Sequence, residues 1–335
     1  MRNWVLPDQI EDVLPGRAWQ MEALRRRLLD GFDAAGYELV APPLIEFLDS
    51  LLTGTGADLD AQTFKLTDPL SGRLLGIRAD ITPQTARIDA HLLAESGVTR
   101  LCYAGQVLQA RPSAMHHSRE PYLVGAELYG DAGIAADLEV LRLLVDSLVP
   151  LCATEGLPPL LLDFGHAGIF RALVADAPPE AAARLLPLIA AKQADVVAQE
   201  AQGLAHAEAL ARLCGLYGDV DVLDRAAADL PALPAVQAAL ASMREVAAGL
   251  AGLPVALSCD LGELRGFSYH SGLVFSVYAQ GGSDAIANGG RYDEVGRAFG
   301  RARPATGFSV DLKELLGLLP APRARSRGPR SADGA

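Results

Sequence analysis

The sequence has few cysteines, and none of them is placed like a metal ligand. Only Cys102, Cys152, Cys214 and Cys259 occur among 335 residues. They lie far apart, they form no C-x-x-C pair, and none has a histidine at zinc-ligand spacing. We therefore expect buried, reduced thiols, no metal site and no cofactor.

Long apolar runs are also missing. No run reaches the roughly 18 to 20 residues that a membrane helix needs. The first 15 residues contain Asp8, Glu11 and Asp12 and no basic apolar leader, so they do not resemble a signal peptide. The sequence therefore predicts a cytoplasmic protein without a membrane partner.

Positive charge is scarce along most of the chain. Lysine and arginine total 29 against 41 acidic residues, which gives a formal net charge of −12. A protein that grips tRNA needs a basic surface to neutralise phosphates, so we expect no tRNA partner. The one basic run, residues 323–330, is also rich in proline, serine and glycine. Residues 321–335 are therefore predicted to be a disordered tail.

Common nucleotide and hydrolase motifs are absent too. The sequence has no glycine loop ending in Gly-Lys-Ser/Thr, no strand-opening G-x-G-x-x-G and no G-x-S-x-G elbow. These absences argue against the common phosphate-loop, dinucleotide-binding and serine-hydrolase sites.

Apolar spacing predicts strands that are bounded by helices. Met21, Leu24, Leu28 and Phe32 recur at helical spacing, so residues 17–35 are expected to form an amphipathic helix. Further helices are predicted at residues 82–93 and around 138–148. Strands are predicted at residues 37–41, 74–78, 101–109, 159–164, 255–261 and 264–279, with glycine turns at 281–282 and 289–290.

An Ala- and Leu-rich stretch interrupts this pattern. Residues 178–252 contain few β-branched residues and predict a helical insertion. The elements show no regular βαβα alternation. The order therefore indicates an α+β fold over residues 1–320, an antiparallel sheet flanked by helices.

Four segments are denser in functional residue types than an ordinary core. They are residues 77–87, 103–111 with 118–120 and 125–130, 264–272, and 288–293 with 304–314. In this order they resemble the L-R-P-E-x-T segment, class II motif 2, the R-G-L-x-Y-Y-x-G segment and motif 3 of histidyl-tRNA synthetases. Residues 36–43 and Glu46 look like motif 1, the dimer interface of that family. The resemblance covers roughly residues 5–318 and implies a dimeric class II synthetase fold.

The sequence differs from the synthetases at motif positions that bind ATP in that family. Gln109 and Arg111 stand where motif 2 has arginine and glutamate, and Glu314 stands where motif 3 ends in arginine. Arginine forks match phosphate oxygens, whereas a carboxylate repels them. Each such contact at about 4 Å is worth on the order of 1 to 4 kcal/mol. We therefore expect no catalytic residues and no ATP activation, although a one-step register slip would let Arg111 serve as the motif 2 arginine.

The amino-acid side of the site matches the synthetases better. The resemblance implies that six residues contact free histidine: Asp80, Thr82, Glu127, Arg265, Tyr269 and His270. In this reading Asp80 and Thr82 face the ammonium group, and Glu127 holds an imidazole nitrogen. Tyr269 closes over the ring, and Arg265 meets the carboxylate of the ligand.

These residues also allow ordinary structural roles. Arg78 and Asp80 could form an ion pair, Arg265 and Glu127 could form a structural salt bridge, and Tyr269 could only pack. His270 replaces the second tyrosine of the synthetase segment, and Leu123 replaces a glutamine. The sequence alone leaves these alternatives open.

The whole pattern resembles the regulatory subunits of ATP phosphoribosyltransferase. Motif arginines are lost, the histidine segment is kept, and no residues follow motif 3 for an anticodon-binding domain. That family implies a non-catalytic homodimer within a hetero-oligomer. It assembles with the short catalytic subunit and transmits histidine feedback, with L-histidine as effector, to the first step of histidine biosynthesis. The alternatives are a truncated histidine-activating synthetase or adenylating ligase, and a tRNA-binding or scaffold protein that ignores histidine.

Overall fold

The computed structural model describes residues 5–53, 57–111 and 118–322. The α-helices are α1 (Arg17–Ala34), α2 (Leu48–Leu51), α3 (Ala57–Gln62), α4 (Thr82–Arg87), α5 (Ile134–Thr154), α6 (Ala167–Leu173), α7 (Pro179–Ala190), α8 (Ala194–Glu200), α9 (Ala207–Leu213), α10 (Val222–Asp229), α11 (Pro234–Leu250) and α12 (Leu312–Leu318). A π-helix, Ile88–Leu93, continues α4, and a 3-10 helix spans Val295–Phe299. The strands are β1 (Glu38–Leu39), β2 (Ile45–Phe47), β3 (Phe64–Thr67), β4 (Leu74–Ile77), β5 (Thr99–Gln106), β6 (Tyr122–Tyr129), β7 (Leu160–His166), β8 (Tyr217–Gly218), β9 (Ala256–Asp260), β10 (Leu273–Ala279), β11 (Ala285–Arg291) and β12 (Ala305–Asp311).

Nine strands form the central sheet in the order β1-β5-β6-β12-β11-β10-β7-β9-β8. The pairs are antiparallel except β1–β5 and β7–β9, which are parallel. Parallel neighbours need a long crossover, and the helices α6–α11 supply it between β7 and β9. The predicted helix-flanked antiparallel sheet is confirmed, with a parallel pair near each edge.

Alternation along β6 separates the two faces of the sheet. Val124, Ala126 and Leu128 pack with α1 and α5 in the main core. Glu127 and Leu123 point to the other face, as expected from the two-residue period of a strand. One face of the sheet is therefore core, while the other is free to carry a site.

The predicted insertion contains α7–α11 and one short strand. Helix α11 packs on α5, α6 and β7, so the inserted residues share the core of the sheet. Strand β8 was not predicted, since two residues, Tyr217 and Gly218, carry no alternation to read. Among the described helices, none is long and apolar enough to cross a bilayer.

Three of the four thiols are buried. Cys102, Cys214 and Cys259 lie in the core, Cys152 is half-buried, and all four are unpaired. Burial raises the pKa of Cys102 to about 11 and that of Cys259 to about 12. Within residues 5–53, 57–111 and 118–322, no cluster of metal-ligating side chains occurs.

A second sheet, β2-β4-β3, lies beside the central one. Its register places six apolar side chains on one face: Ile45, Phe47, Phe64, Leu66, Leu75 and Ile77. Three of them are strongly exposed, Ile45 at 42% and Phe47 and Leu66 at 36% each. The opposite face packs on α2, because a Cβ atom at Gly76 would meet Leu51 and Leu48. The six residues are called the apolar face below.

Two sequence predictions about glycine segments were wrong. The predicted strand 264–279 begins only at Leu273, because tight turns occupy 264–270 and Gly266 has a positive φ of 63°. Gly289 and Gly290 lie inside β11 rather than in a turn. A Cβ at Gly290 would come within 2.6 Å of the His270 ring and 2.5 Å of the Leu273 carbonyl oxygen, so these glycines permit close approach.

Candidate functional site

A cavity of about 410 Å³ opens on the face of the sheet opposite α1 and α5. This volume suits a small-molecule ligand. Its lining includes all six residues that the sequence predicted to contact histidine: Asp80, Thr82, Glu127, Arg265, Tyr269 and His270. They come from α4, β6 and the turn segment before β10, which are distant in sequence. The fold therefore brings the predicted residues together at one site.

Glu127 occupies the floor of the cavity. It is 1% exposed, and its carboxylate accepts hydrogen bonds from Thr82 Oγ1 at 3.0 Å, from Tyr103 Oη at 3.2 Å and from Tyr292 Oη. Burial, supported by the nearby charge of Asp80, raises the pKa of Glu127 to about 8, although the hydroxyl donors oppose this shift. A cationic group bound beside Glu127 would favour its ionised form, whose oxygens could then accept from the ammonium or imidazole N–H.

Asp80 precedes α4 and shapes its first turn. Its Oδ1 accepts from the backbone N–H of Ile81 at 2.6 Å and of Thr82 at 3.3 Å. The neighbouring Arg78 is buried and donates to the carbonyl oxygens of Gln106 at 2.9 Å and Pro42 at 2.8 Å. Asp80 and Glu127 thus give the cavity two carboxylates.

The turn segment 264–272 forms one wall of the cavity. Tyr269 packs its ring at 5.0 Å from that of Tyr292, and its buried hydroxyl has no hydrogen-bond partner among the described residues. The His270 Nδ1 lies 3.1 Å from the Gly266 carbonyl oxygen, and burial lowers the pKa of His270 to about 4. The imidazole of His270 is therefore neutral at physiological pH.

Two basic side chains bind this segment and the strand that precedes it. Lys192, between α7 and α8, donates to Asp260 Oδ1 at 2.5 Å. Arg171 of α6 donates to the carbonyl oxygens of His270 at 2.8 Å and Ser271 at 3.2 Å. Helix α6 therefore contacts the wall that carries Arg265, Tyr269 and His270, and the insertion contacts the end of the strand β9 that precedes it.

Arg265 is paired with a residue that the sequence reading did not consider. Its Nε donates to both carboxylate oxygens of Glu263 at 3.0 and 2.9 Å, and its Nη2 donates to Glu263 Oε2 at 2.5 Å. Nη2 also donates to the Tyr278 hydroxyl. The structural alternative of an Arg265–Glu127 salt bridge is therefore wrong, since the guanidinium is bound to Glu263.

The remaining polar lining of the cavity is uncharged. It comprises Gln62, Gln109, Ser268, Ser276, Asn288 and Ser309. Gln109 is 4% exposed, and its Oε1 has no hydrogen-bond partner within the part of the chain that the structure describes. Arg111 is exposed and Glu314 lies in the first turn of α12, and neither lines the cavity. The repulsion predicted for Glu314 would therefore act on a phosphate that extends beyond the cavity.

Sequence reasoning missed the residues that support the predicted ones. Tyr103 and Tyr292 lay within the quoted segments but received no role, and Glu263 lay one residue outside them. The spacing of Glu263 and Arg265, two residues apart, was the available signal. It is weak without the turn that folds the two side chains together.

Together, the sheet, its flanking helices and the cavity define a class II synthetase-like protein of the histidyl-tRNA synthetase type. The family model described as histidyl-tRNA synthetase matches residues 9–315. A solved structure from Bacillus halodurans, described as an ATP phosphoribosyltransferase regulatory subunit/histidyl-tRNA synthetase, superposes with a TM-score of 0.84 at 27% identity. The match covers 95% of this chain and 84% of that one.

Curated relatives show which family with this fold the chain belongs to. An ATP phosphoribosyltransferase regulatory subunit from Thiobacillus denitrificans is 55% identical over 94% of this chain and 98% of its own length. The chain belongs to the family of ATP phosphoribosyltransferase regulatory subunits. The "ATP phosphoribosyl transferase (HisG:HisZ) complex" from Thermotoga maritima shares the fold, with a TM-score of 0.66 at 19% identity over 87% of this chain and 97% of that one.

Proposed function

We propose that the chain is a non-catalytic, histidine-sensing subunit of ATP phosphoribosyltransferase in the cytoplasm. Residues 1–320 would form its synthetase-like domain, with residues 178–252 inserted. One observation carries the proposal, namely that all six residues predicted to contact histidine line a single cavity. Histidine would bind one conformation of the complex better than another and so bias its activity.

The chemistry of the cavity supports an amino-acid ligand. Asp80 and Glu127 offer acceptors for an ammonium and an imidazole N–H, and Tyr269 offers an aromatic surface for the ring. Buried polar groups of this kind reject a poor fit, because any unmatched group stays unpaired. Such a site favours one amino acid over its analogues.

Loss of the synthetase reaction is the second part of the proposal. Arg265 is the one cationic side chain of the described lining, and it is bound to Glu263. A triphosphate would thus meet neutral amides and two carboxylates, which offer little stabilisation to its charge. The net charge of −12 likewise argues against tRNA as a partner.

The proposed partner is the short catalytic subunit of ATP phosphoribosyltransferase. The family assignment supports this partner, as does the fold shared with the Thermotoga maritima complex. The test is reconstitution, in which the chain is mixed with that subunit and phosphoribosyl transfer is followed while L-histidine is added. The proposal expects activation by the chain and inhibition by histidine. Activation that histidine leaves unchanged would reduce the chain to a scaffold.

Homodimerisation through the apolar face is also proposed. Six apolar side chains on one sheet face, three of them strongly exposed, form a contiguous patch of the kind that marks protein contacts. The face adjoins Glu46, part of the segment that resembles the dimer motif of synthetases. A second copy of this chain is the occupant that fits best.

Phe47→Asp is therefore expected to convert the dimer into a monomer. An aspartate in place of Phe47, on the edge strand β2, would introduce a charge into the interface from both copies, and desolvating these charges costs several kcal/mol. Light scattering after gel filtration measures the mass. Leu70→Asp is the matched control, because Leu70 is 96% exposed in the turn that joins β3 and β4 and is not one of the six residues of the apolar face. A monomeric parent, or a dimer that tolerates Phe47→Asp, would exclude this interface.

A further inference from the structure

The cavity contains an imbalance of charge. Three carboxylates, Asp80, Glu127 and Glu263, lie in or directly behind its lining. Against them stands a single guanidinium, that of Arg265, because His270 is neutral. No other lysine or arginine lines the cavity within the described residues. Because Glu263 offsets this guanidinium, and Glu127 keeps its proton up to about pH 8, the site offers no uncompensated positive charge to a ligand carboxylate.

The pairing of Arg265 leaves little of its donor capacity for a ligand. A carboxylate is bound most strongly when two parallel N–H groups of a guanidinium face its two oxygens. The Nε/Nη2 edge of Arg265 already faces Glu263 in this way. The Tyr278 hydroxyl takes a further bond from Nη2. Among the described residues Nη1 alone has no hydrogen-bond partner, so a second carboxylate could not be held by a complete fork.

Glu263 is suited to this neutralising role. It is 9% exposed, and it also accepts from the Arg265 backbone N–H at 2.8 Å. Although burial opposes ionisation, the hydrogen bonds from Arg265 lower the pKa of Glu263 below its ordinary value. Glu263 is therefore ionised at neutral pH and cancels the charge of the guanidinium.

We propose that the cavity recognises its ligand by the ammonium and imidazole groups and makes little use of the ligand's carboxylate. The ligand class is then an imidazolyl-ethylamine, with or without a carboxyl group. This inference rests on the proposed histidine-sensing function. The amide groups of Gln109 and Asn288 can donate to a carboxylate or to an uncharged amide alike, so they do not distinguish the two.

Calorimetric titration of the full chain with a series of analogues tests the inference. Histamine lacks the carboxylate, L-histidinamide carries an uncharged amide in its place, and imidazolepropionate lacks the ammonium. Histamine and L-histidinamide are expected to bind within about 10-fold of L-histidine, and imidazolepropionate at least about 100-fold more weakly. Histamine and L-histidinamide binding more than about 10-fold below L-histidine would overturn the inference. Failure of L-histidine itself to bind would instead refute the proposed function.

A variant reveals the part played by Glu263. Glu263→Gln keeps the size of the side chain but removes its charge and one acceptor oxygen, so the full charge of Arg265 is released. The ratio of L-histidine to histamine affinity is expected to rise about 10-fold. Glu245→Gln, on the exposed side of α11, is the control and should leave the ratio unchanged. An unchanged ratio in folded Glu263→Gln would contradict the role of Glu263, and if that variant does not fold, the analogue series on the parent chain decides alone.

Discussion

Replacement of Glu127 by glutamine is expected to weaken L-histidine binding at least about 100-fold while the protein stays folded. Glutamine has the same shape, but it cannot ionise in response to a bound cation and it has one acceptor oxygen fewer. Hydrogen bonds to a charged group contribute about 1.5 to 3 kcal/mol each, and about 1.4 kcal/mol corresponds to tenfold in affinity. In the reconstituted complex, the variant should keep its activating effect and lose inhibition by histidine. Calorimetry and the transfer assay measure the two effects.

Glu139 provides the matched control for this variant. It also accepts from a tyrosine, Tyr37 Oη at 3.1 Å, and from Arg100 at 2.6 and 2.8 Å, but it lies outside the cavity. Glu139→Gln should leave histidine binding unchanged. Equal loss in both variants would point to general destabilisation, and retained affinity in Glu127→Gln would remove Glu127 from the binding site.

The same variants have opposite pH signatures. Burial raises the pKa of Glu127 from 4.5 to about 8, so the folded state holds this proton more tightly than the unfolded state. Its contribution to the free energy of unfolding is therefore present below pH 4.5 and is lost as pH rises towards 8. Glu127→Gln removes this loss. In urea unfolding, the free energy of unfolding of the variant should therefore rise relative to that of the parent by a few kcal/mol between pH 4.5 and about pH 8.

Glu139 should behave in the reverse sense. The hydrogen bonds from Arg100 lower its pKa, so its stabilising contribution is present above pH 4.5 and is lost as pH falls. Glu139→Gln should therefore lower the free energy of unfolding most at neutral pH. If the difference in free energy of unfolding between the parent and Glu127→Gln did not change between pH 5 and 8, the raised pKa of Glu127 would be contradicted.

Gly307→Ala is expected to lower the free energy of unfolding by at least about 2 kcal/mol and to abolish histidine binding. Gly307 pairs with Glu127 across β12 and β6. A Cβ atom there would overlap the Glu127 carboxylate and lie 2.7 Å from the Ala126 carbonyl oxygen. Neither the backbone of β6 nor the enclosed carboxylate can move without breaking its hydrogen bonds, so overpacking is not relieved. Urea unfolding and calorimetry measure both effects.

Gly317→Ala is the control for the glycine prediction. Gly317 lies in α12, and a Cβ atom there would meet nothing within 4 Å. Alanine in a helix is favoured over glycine by roughly 0.5 to 1 kcal/mol, so this variant should be neutral or slightly stabilised. If Gly307→Ala bound histidine as the parent does, the carboxylate of Glu127 would not be confined by β12 as described.

The long helices and six of the twelve strands followed from the sequence, because their apolar periods were long enough to read, whereas β6 and β12 beside the cavity were not predicted. Residues 17–35 were predicted as a helix, and α1 spans Arg17–Ala34. The parallel pairing of β7 with β9 could not be predicted, since strand order depends on tertiary packing of the helices between them. The same limit applies to Gly289 and Gly290, whose strand conformation is explained only by the neighbours that crowd them.

The site was predicted as a set of residues but not as a set of contacts. The order of four segments brought Asp80, Glu127 and Tyr269 into one hypothesis, and all three line the cavity. Their partners depend on side chains that meet across strands or within turns. Tyr292 and Glu263 could therefore be recognised only in the folded chain. The contacts to histidine stay predictions.

The most direct test of histidine sensing is calorimetric titration of the purified chain with L-histidine, without ATP, repeated with the short catalytic subunit present. The account predicts saturable binding that needs no ATP and that is lost in Glu127→Gln. ATP–pyrophosphate exchange with the same protein should stay at background. Absence of histidine binding in both titrations, or binding that Glu127→Gln leaves intact, would contradict the account.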